Sequence, residues 1–227
     1  MNIILVHGAW GDGSHWRGVI PILHAKGYNV TAVQNPLTSL ADDIDRTKKL
    51  AAAQNGPTLL VGHSYGGAVI TGAGHQQNVV GLVYIAAFAP DKGESLNGIF
   101  SRQAPPSGGA HIKPDANGFL WIEKPAFKES FCQDLDSTEA LVMATAQKPI
   151  AARCFDDKSD EPAWKTKPSW YQVSSQDHMI PPEAEKSMAE RMKPKKIISL
   201  DSSHASLASH AKEVANLIDE AARSFAK

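Results

Sequence analysis

The chain has 227 residues, enough for one domain with a large buried core, and 42% of them are hydrophobic against 21% charged. A net charge of −1 offers neither a basic surface for nucleic acid nor a charged tail for a membrane. No apolar run approaches the ~18 residues of a membrane span, and Met-Asn-Ile-Ile-Leu-Val-His-Gly reads as a strand rather than a signal peptide.

In chain order, Asn2 to Val6 is apolar and β-prone and predicts a central parallel strand ended by Gly8. A loop, Ala9 to Gly13, leads to a helix expected over Ser14–Lys26, where Trp16, Val19, Ile20 and Leu23 recur at helical spacing, with Gly27 as its stop. Tyr28 to Val33 predicts the second strand. Thr38 to Gln54 predicts the second helix, with Leu40, Ile44 and Ala51 facing inward and Asp42 and Asp43 in its first turn. The third strand enters a glycine-rich turn and a helix to about Gln76. Val79 to Ala87 is hydrophobic on both faces and predicts a fourth strand covered on both sides.

After Pro90 the rhythm changes. His111 to Ile122 suggests a hairpin turning at Asn117-Gly118, and Asp136-x-x-Glu139 suggests a capping box before Ala140–Gln147. Residues 90–167 read as a lid inserted into a core of 1–89 and 168–227. Phe100, Trp121, Phe127, Phe131, Leu135, Leu141 and Met143 are expected mostly to pack it down, with a few lining an apolar pocket. Regularity returns with a fifth strand over Ser169–Ser174 and a helix from Pro181-Pro182 through Met192. A sixth strand over Lys195–Leu200 and a last helix over Ser206–Phe225 follow. Alternating strands and helices predict an α/β fold, a mostly parallel six-stranded sheet with helices on both faces.

The most informative stretch is Thr58 to Ala68. A buried-strand run, Leu59 to Val61, ends at Gly62, and a small-residue helix follows Gly66-Gly67. Ser64 between them makes Gly-x-Ser-x-Gly at a strand-to-helix turn. Such a turn pushes the serine toward positive φ and leaves no room for side chains at Gly62 and Gly66. An unaided serine hydroxyl is a weak nucleophile and needs a base. Imidazole suits the role, held by an acid that fixes its tautomer. In parallel sheets ligands bind beyond the strand carboxyl ends. There the chain places Ser64, Asp177 and His204, in the order nucleophile, acid, base. Asp91, after the fourth strand, is the rival acid, and His63, adjacent to the nucleophile, should point away from it. An oxyanion needs two N–H donors. Tyr65, at the helix start, and Ala9, after the close-approach residue Gly8, are the candidates.

Val6-His7-Gly8-Ala9-Trp10, Gly62-His63-Ser64-Tyr65-Gly66-Gly67, Asp177 before Pro181-Pro182, and Ser203-His204 together resemble an α/β-hydrolase. The likeness is to the compact type that includes plant methylesterases, hydroxynitrile lyases and cofactor-free haloperoxidases. It implies Ser64 as nucleophile, His204 as base, Asp177 as acid, and the Ala9 and Tyr65 amides as oxyanion hole. It also implies hydrolysis of small, largely apolar carboxylic esters through an acyl-enzyme. The family usually opens with two further antiparallel strands; this sequence begins at its first parallel strand, hence the expected six.

Hydroxynitrile lyases of this type carry a lysine directly after the histidine; Ala205 stands there and argues against cyanide chemistry. A lyase or perhydrolase on the same scaffold and a non-catalytic small-ligand receptor remain the alternatives. No metal or cofactor is expected, since Cys132 and Cys154 stand at no ligand spacing. Both read as free thiols of a reducing, cytoplasmic compartment, with a single bridge between them as the alternative. A small ester is the expected partner, with no nucleic acid or membrane; monomer and homodimer both stay open.

Overall fold

The computed structural model describes residues 1–225. The first four strands are β1 (Asn2–Val6), β2 (Asn29–Ala32), β3 (Thr58–His63) and β4 (Val79–Ile85). Three short ones follow, β5 (Ile112–Pro114), β6 (Phe119–Ile122) and β7 (Ile150–Ala151), then β8 (Ser169–Ser174) and β9 (Lys196–Leu200). The main sheet is parallel throughout, in the order β2-β1-β3-β4-β8-β9; β5, β6 and β7 form a separate antiparallel sheet. The helices are α1 (Val19–Ala25), α2 (Leu40–Ala52), α3 (Tyr65–Ala73), α4 (Leu96–Phe100), α5 (Phe127–Phe131) and α6 (Ser137–Ala146). The last four are α7 (Arg153–Asp156), α8 (Pro182–Met192), α9 (Ser206–Ser209) and α10 (Ala211–Arg223).

Alternation along the strands builds a core on each side of the sheet. Ile4, Val6, Leu60, Leu82 and Tyr84 face the core shared with α2, α3 and α8. Ile3, Leu5, Leu59, Val61, Val83 and Ile85 face the opposite core, with α1 and α10. This is why the central strands read as unbroken apolar runs. The chain leaves β1 for β2 on one side and reaches β3 on the other, so β1 and β3 flank the point where strand order reverses, the usual ligand crevice of such sheets.

Two expected helices are divided. The stretch Ser14–Lys26 becomes a 3₁₀ turn over Gly13–Trp16 and a separate α1. Pro21 explains the break: its ring excludes a helical carbonyl at Arg17 and it has no N–H to donate, so it is tolerated only in a first turn. The last helix is split at His210 (φ −124°, ψ 40°) into α9 and α10. No breaker residue stands there; Ser206 Oγ donates to Gln172 Oε1 on β8 at 2.8 Å and fixes the direction of the first turn. Of the expected capping box, Asp136 Oδ1 accepts from the Thr138 and Glu139 amides, while the Glu139 carboxylate pairs with Arg17 instead. Leu141, expected to pack inward, is 65% exposed.

The tightest constraint lies after β3. A Cβ on Gly62 would sit 2.5 Å from the Gly66 carbonyl oxygen, and one on Gly66 would collide with the Val6 carbonyl oxygen. Gly62→Ala should therefore lower the unfolding free energy by at least about 2 kcal/mol, as overpacking against backbone does. Denaturant titration measures it; an unchanged midpoint would mean that the turn can open.

Candidate active site

Ser64 follows β3 with φ +55° and ψ −125°, the positive-φ backbone expected of a serine at this turn. Its own amide and carbonyl hold it there. Ser64 N–H donates to Ile85 O at 3.2 Å, and Ser64 O accepts from Gly67 and Phe88 N–H at 2.9 and 3.1 Å. The loop after β1 passes directly beside it: a Cβ on Gly8 would meet Ser64 Cβ at 2.6 Å and Oγ at 3.1 Å.

Asp177 lies in the loop after β8, and His204 follows β9. Asp177 Oδ2 accepts from His204 Nδ1 at 2.5 Å, with both side chains fully buried. Asp177 Oδ1 is fixed by the Met179 and Ile180 amides at 2.6 and 2.8 Å. That geometry assigns the proton of His204 to Nδ1 and leaves Nε2 as an acceptor. Nε2 is buried and has no hydrogen-bond partner among the described residues. The structure thus joins two of the three residues singled out from sequence by a direct bond. Ser64 is placed at the same rim without a hydrogen bond to the imidazole.

The link between them runs through His63. Its Nε2–H donates to the His204 carbonyl at 2.8 Å, and the two rings stand 4.8 Å apart. His63, adjacent to Ser64 in sequence, clamps the backbone of His204, a role that adjacency alone could not reveal. Asp134 adds a second clamp, accepting from Ser203 N–H at 3.0 Å. Phe131 closes the outer side, edge-on to His204 at 4.9 Å between centroids.

The expected oxyanion donors are set by a buried histidine. His7 Nδ1–H donates to Gly8 O at 2.8 Å, and its Nε2 accepts from Asn35 N–H at 2.9 Å. Burial pushes His7 down to about 4, which keeps it neutral and so able to accept from Asn35. With the Gly8 carbonyl turned to His7, the Ala9 N–H of the same trans peptide must point the opposite way. The Tyr65 amide opens α3, where no intrahelical acceptor exists. Neither amide donates to another backbone group among the described residues.

Beneath the turn lies a network without a sequence motif. Tyr65 Oη–H donates to Asp43 Oδ2 at 2.6 Å, and Asp43 Oδ1 accepts from Leu37 N–H at 2.8 Å. Asp43 is fully buried. Its place in the first turn of α2 suggests a dipole residue, but its side chain points inward. Desolvation pushes Asp43 up to about 6, against the opposing pull of Tyr65, Leu37 and Lys148. The rival acid, Asp91, pairs instead with Lys165 at 2.6 Å. His178 Nδ1 bonds Glu129 O at 2.8 Å. Among the described residues no cluster of His, Cys, Asp and Glu could hold a metal ion, and both cysteines are free and buried.

A doubly covered parallel sheet, with a positive-φ serine and a buried Asp–His pair on one rim, defines the nucleophile-elbow class of α/β proteins. The chain belongs to the Alpha/beta hydrolase family, whose sequence profile matches residues 3–217. It is similar to the carbendazim hydrolyzing esterase of Nocardioides sp. (strain SG-4G), 33% identical over 119 residues that cover 46% of this chain. The match spans only about half, 49%, of that relative's length. Methylesterase 3 of Arabidopsis thaliana is 24% identical over 262 aligned positions, covering 99% of this chain and 97% of the relative. A solved pyrethroid hydrolase from Sphingobium faniae JZ-2 superposes with a TM-score of 0.85 at 22% identity, over 100% of this chain and 98% of the other, and so shares the fold.

The Asp43 shift makes a test. A carboxyl raised from 3.8 to about 6 on folding binds its proton more tightly in the folded chain. Its contribution to stability is full below about pH 4 and lost as pH rises through about 6. The side-chain amide of an Asp43→Asn variant cannot titrate. The stability of wild type relative to Asp43→Asn should therefore fall by about 2–3 kcal/mol between pH 4 and 7. Denaturant midpoints at the two pH values read it; a constant gap would mean that Asp43 titrates alike folded and unfolded.

Proposed function

We propose that the protein is a serine hydrolase that cleaves small, largely apolar carboxylic esters through an acyl-enzyme. The observation that carries the reading is the buried 2.5 Å Asp177–His204 bond at the rim that carries the positive-φ Ser64. In this mechanism His204 Nε2 takes the Ser64 proton as Oγ attacks the ester carbonyl. The Ala9 and Tyr65 amides hold the oxyanion. Collapse of the adduct breaks the bond to the alcohol, which leaves with the proton from His204. Water, deprotonated by the same Nε2, then releases the acid and restores Ser64.

Neutral surroundings support this cycle. His63 is held well below the ordinary histidine range and His15 at about 3, both chiefly by burial, so neither places a positive charge beside the developing imidazolium. Residues 90–167 serve in this reading as the cap over a core of 1–89 and 168–227. Phe131 and Asp134, both from that segment, touch the His204 loop. The apolar Phe131 favours an uncharged group at the ester. The names of the esterase and methylesterase relatives agree with ester hydrolysis. Ala205 after His204 offers no charge for a leaving cyanide. The pair of reduced thiols suits a cytoplasmic setting. Among the described residues no helix is long and apolar enough to cross a membrane.

A fluorophosphonate probe followed by peptide mapping should label Ser64, and a short-chain p-nitrophenyl ester should give a burst of phenolate. Ser64→Ala and His204→Ala should each lower turnover by at least ~10³-fold. Turnover surviving His204→Ala would place the base elsewhere, and tight ligand binding without turnover would favour a receptor.

A further inference from the structure

One buried acid takes no part in the cycle above. Glu185, on α8, is fully buried beneath the Asp177 loop. Its Oε2 accepts from Ser174 N–H at 2.9 Å. Its Oε1 is enclosed, and no donor reaches it among the described residues. The group within hydrogen-bond reach of this carboxyl is the Asp177 carboxylate, itself an acceptor, with Tyr171 as a further titratable neighbour. No lysine or arginine pairs with it among the described residues.

Two facing carboxylates without a cation cannot both stay ionised in a buried site. Asp177 already has three donors: the Met179 and Ile180 amides and His204 Nδ1. Glu185 has one, on the wrong oxygen for its free lone pairs. The shared proton therefore belongs on Glu185, where Oε1 becomes a donor and the orphaned atom acquires a partner.

We propose that Glu185 is a positioning residue: a neutral carboxylic acid whose Oε1–H donates to the Asp177 carboxylate and fixes the plane in which Oδ2 faces His204. The idea rests on the catalytic reading given above. Burial and the neighbouring Asp177 charge act in the same direction, holding the Glu185 proton well beyond the ordinary carboxyl range. The bond also draws charge from Asp177, so it limits how strongly the aspartate stabilises the imidazolium.

Two variants and a spectrum test this. Glu185→Gln keeps an N–H donor toward Asp177 and a carbonyl toward Ser174. It should hold kcat within about threefold, with the acid limb of the pH–rate profile unmoved. Glu185→Met fills similar volume without a donor. It should lower kcat by about tenfold or more with KM within about twofold, and shift the acid limb upward because the unshared Asp177 charge binds imidazolium more tightly.

Infrared difference spectra at about pH 8, where Asp43 is ionised, should show a protonated-carboxyl carbonyl band that is absent from Glu185→Gln. No such band in the wild type overturns the proposal whatever the activity. So does an acid limb that falls in Glu185→Gln, because removing a negative charge would weaken the imidazolium. A Glu185→Met enzyme with wild-type kcat and acid limb also overturns it. If Ser64 fails to label and esters are not cleaved, the hydrolase reading fails, while the infrared band still reports on Glu185.

Discussion

A serine held at positive φ costs about 1–3 kcal/mol and persists only where its surroundings over-determine it. At Ser64 they do, and the rest of the rim is shaped by that requirement. Among the described residues, four of the five non-glycine residues with positive φ lie just past the carboxyl ends of four adjacent strands: Leu37 beyond β2, Trp10 beyond β1, Ser64 after β3 and Ala86 after β4. The fifth, Lys193, caps α8 far along the chain. The strain is thus shared by neighbouring loops rather than confined to the turn at Ser64. Each loop is pinned by a hydrogen bond: Leu37 N–H to Asp43, Trp10 Nε1–H to Leu120 O, and Ala86 N–H to Gln172 O. Backbone that would be free in solution is held here as a fixed cleft wall.

The electrostatics of the same rim follow from burial. His7, His15, His63 and His204 are all enclosed. The first two are pushed down to about 4 and about 3, and His63 well below its usual range, with desolvation the largest cause for each. Of the four, His204 alone has a carboxylate at 2.5 Å. Its neighbours act as neutral hydrogen-bonding parts. His7 sets a peptide plane, and His63 holds a carbonyl. Crowded imidazoles would repel one another if they charged together; desolvation of His7, His15 and His63 removes that conflict.

The fold was legible because strand periodicity and two-sided burial leave a direct mark on composition, as in Leu59–Val61 and Val79–Ile85. The elbow was legible because both glycines fall in the motif itself, although only Gly62 is required by local backbone, at Gly66, while Gly66 is required by the distant end of β1 at Val6. The pairing of Asp177 with His204 followed from strand ends and chain order. What stayed hidden depends on contacts made at long range. Asp43 meets Tyr65 across 22 positions and His63 meets His204 across 141, and neither pair is marked by spacing. Nor could Glu185 be told from an ordinary helix-surface glutamate, since α8 carries Glu183 and Glu190 as well, both exposed. The two-residue strand β7 is too short to leave a pattern. Pro21 did carry a local signal, but helical spacing on both sides of it suggested continuity.

The segment between β4 and β8 is bound to the rim loops more closely than a detachable cover would be. Lys148 reaches the Asn35 carbonyl, Ala151 N–H donates to Leu37 O, and Leu40 N–H donates to Asp157. On the opposite side Asp134 holds Ser203, Gln133 donates to Gln176 O, and Gly108 N–H donates to His178 O. Its two ends are tied together at the core: Arg191 bonds both Glu94 and Ala89 O, and Trp164 Nε1–H donates to Pro90 O. With anchors on the loops after β2, β8 and β9, moving the whole segment would break polar bonds on both flanks at once. A local shift around Phe131, whose contacts to His15, His63 and His204 are aromatic and non-directional by comparison, costs less. Entry to a buried imidazole is therefore easier through side-chain movement at α5 than through lifting of residues 90–167 as one body.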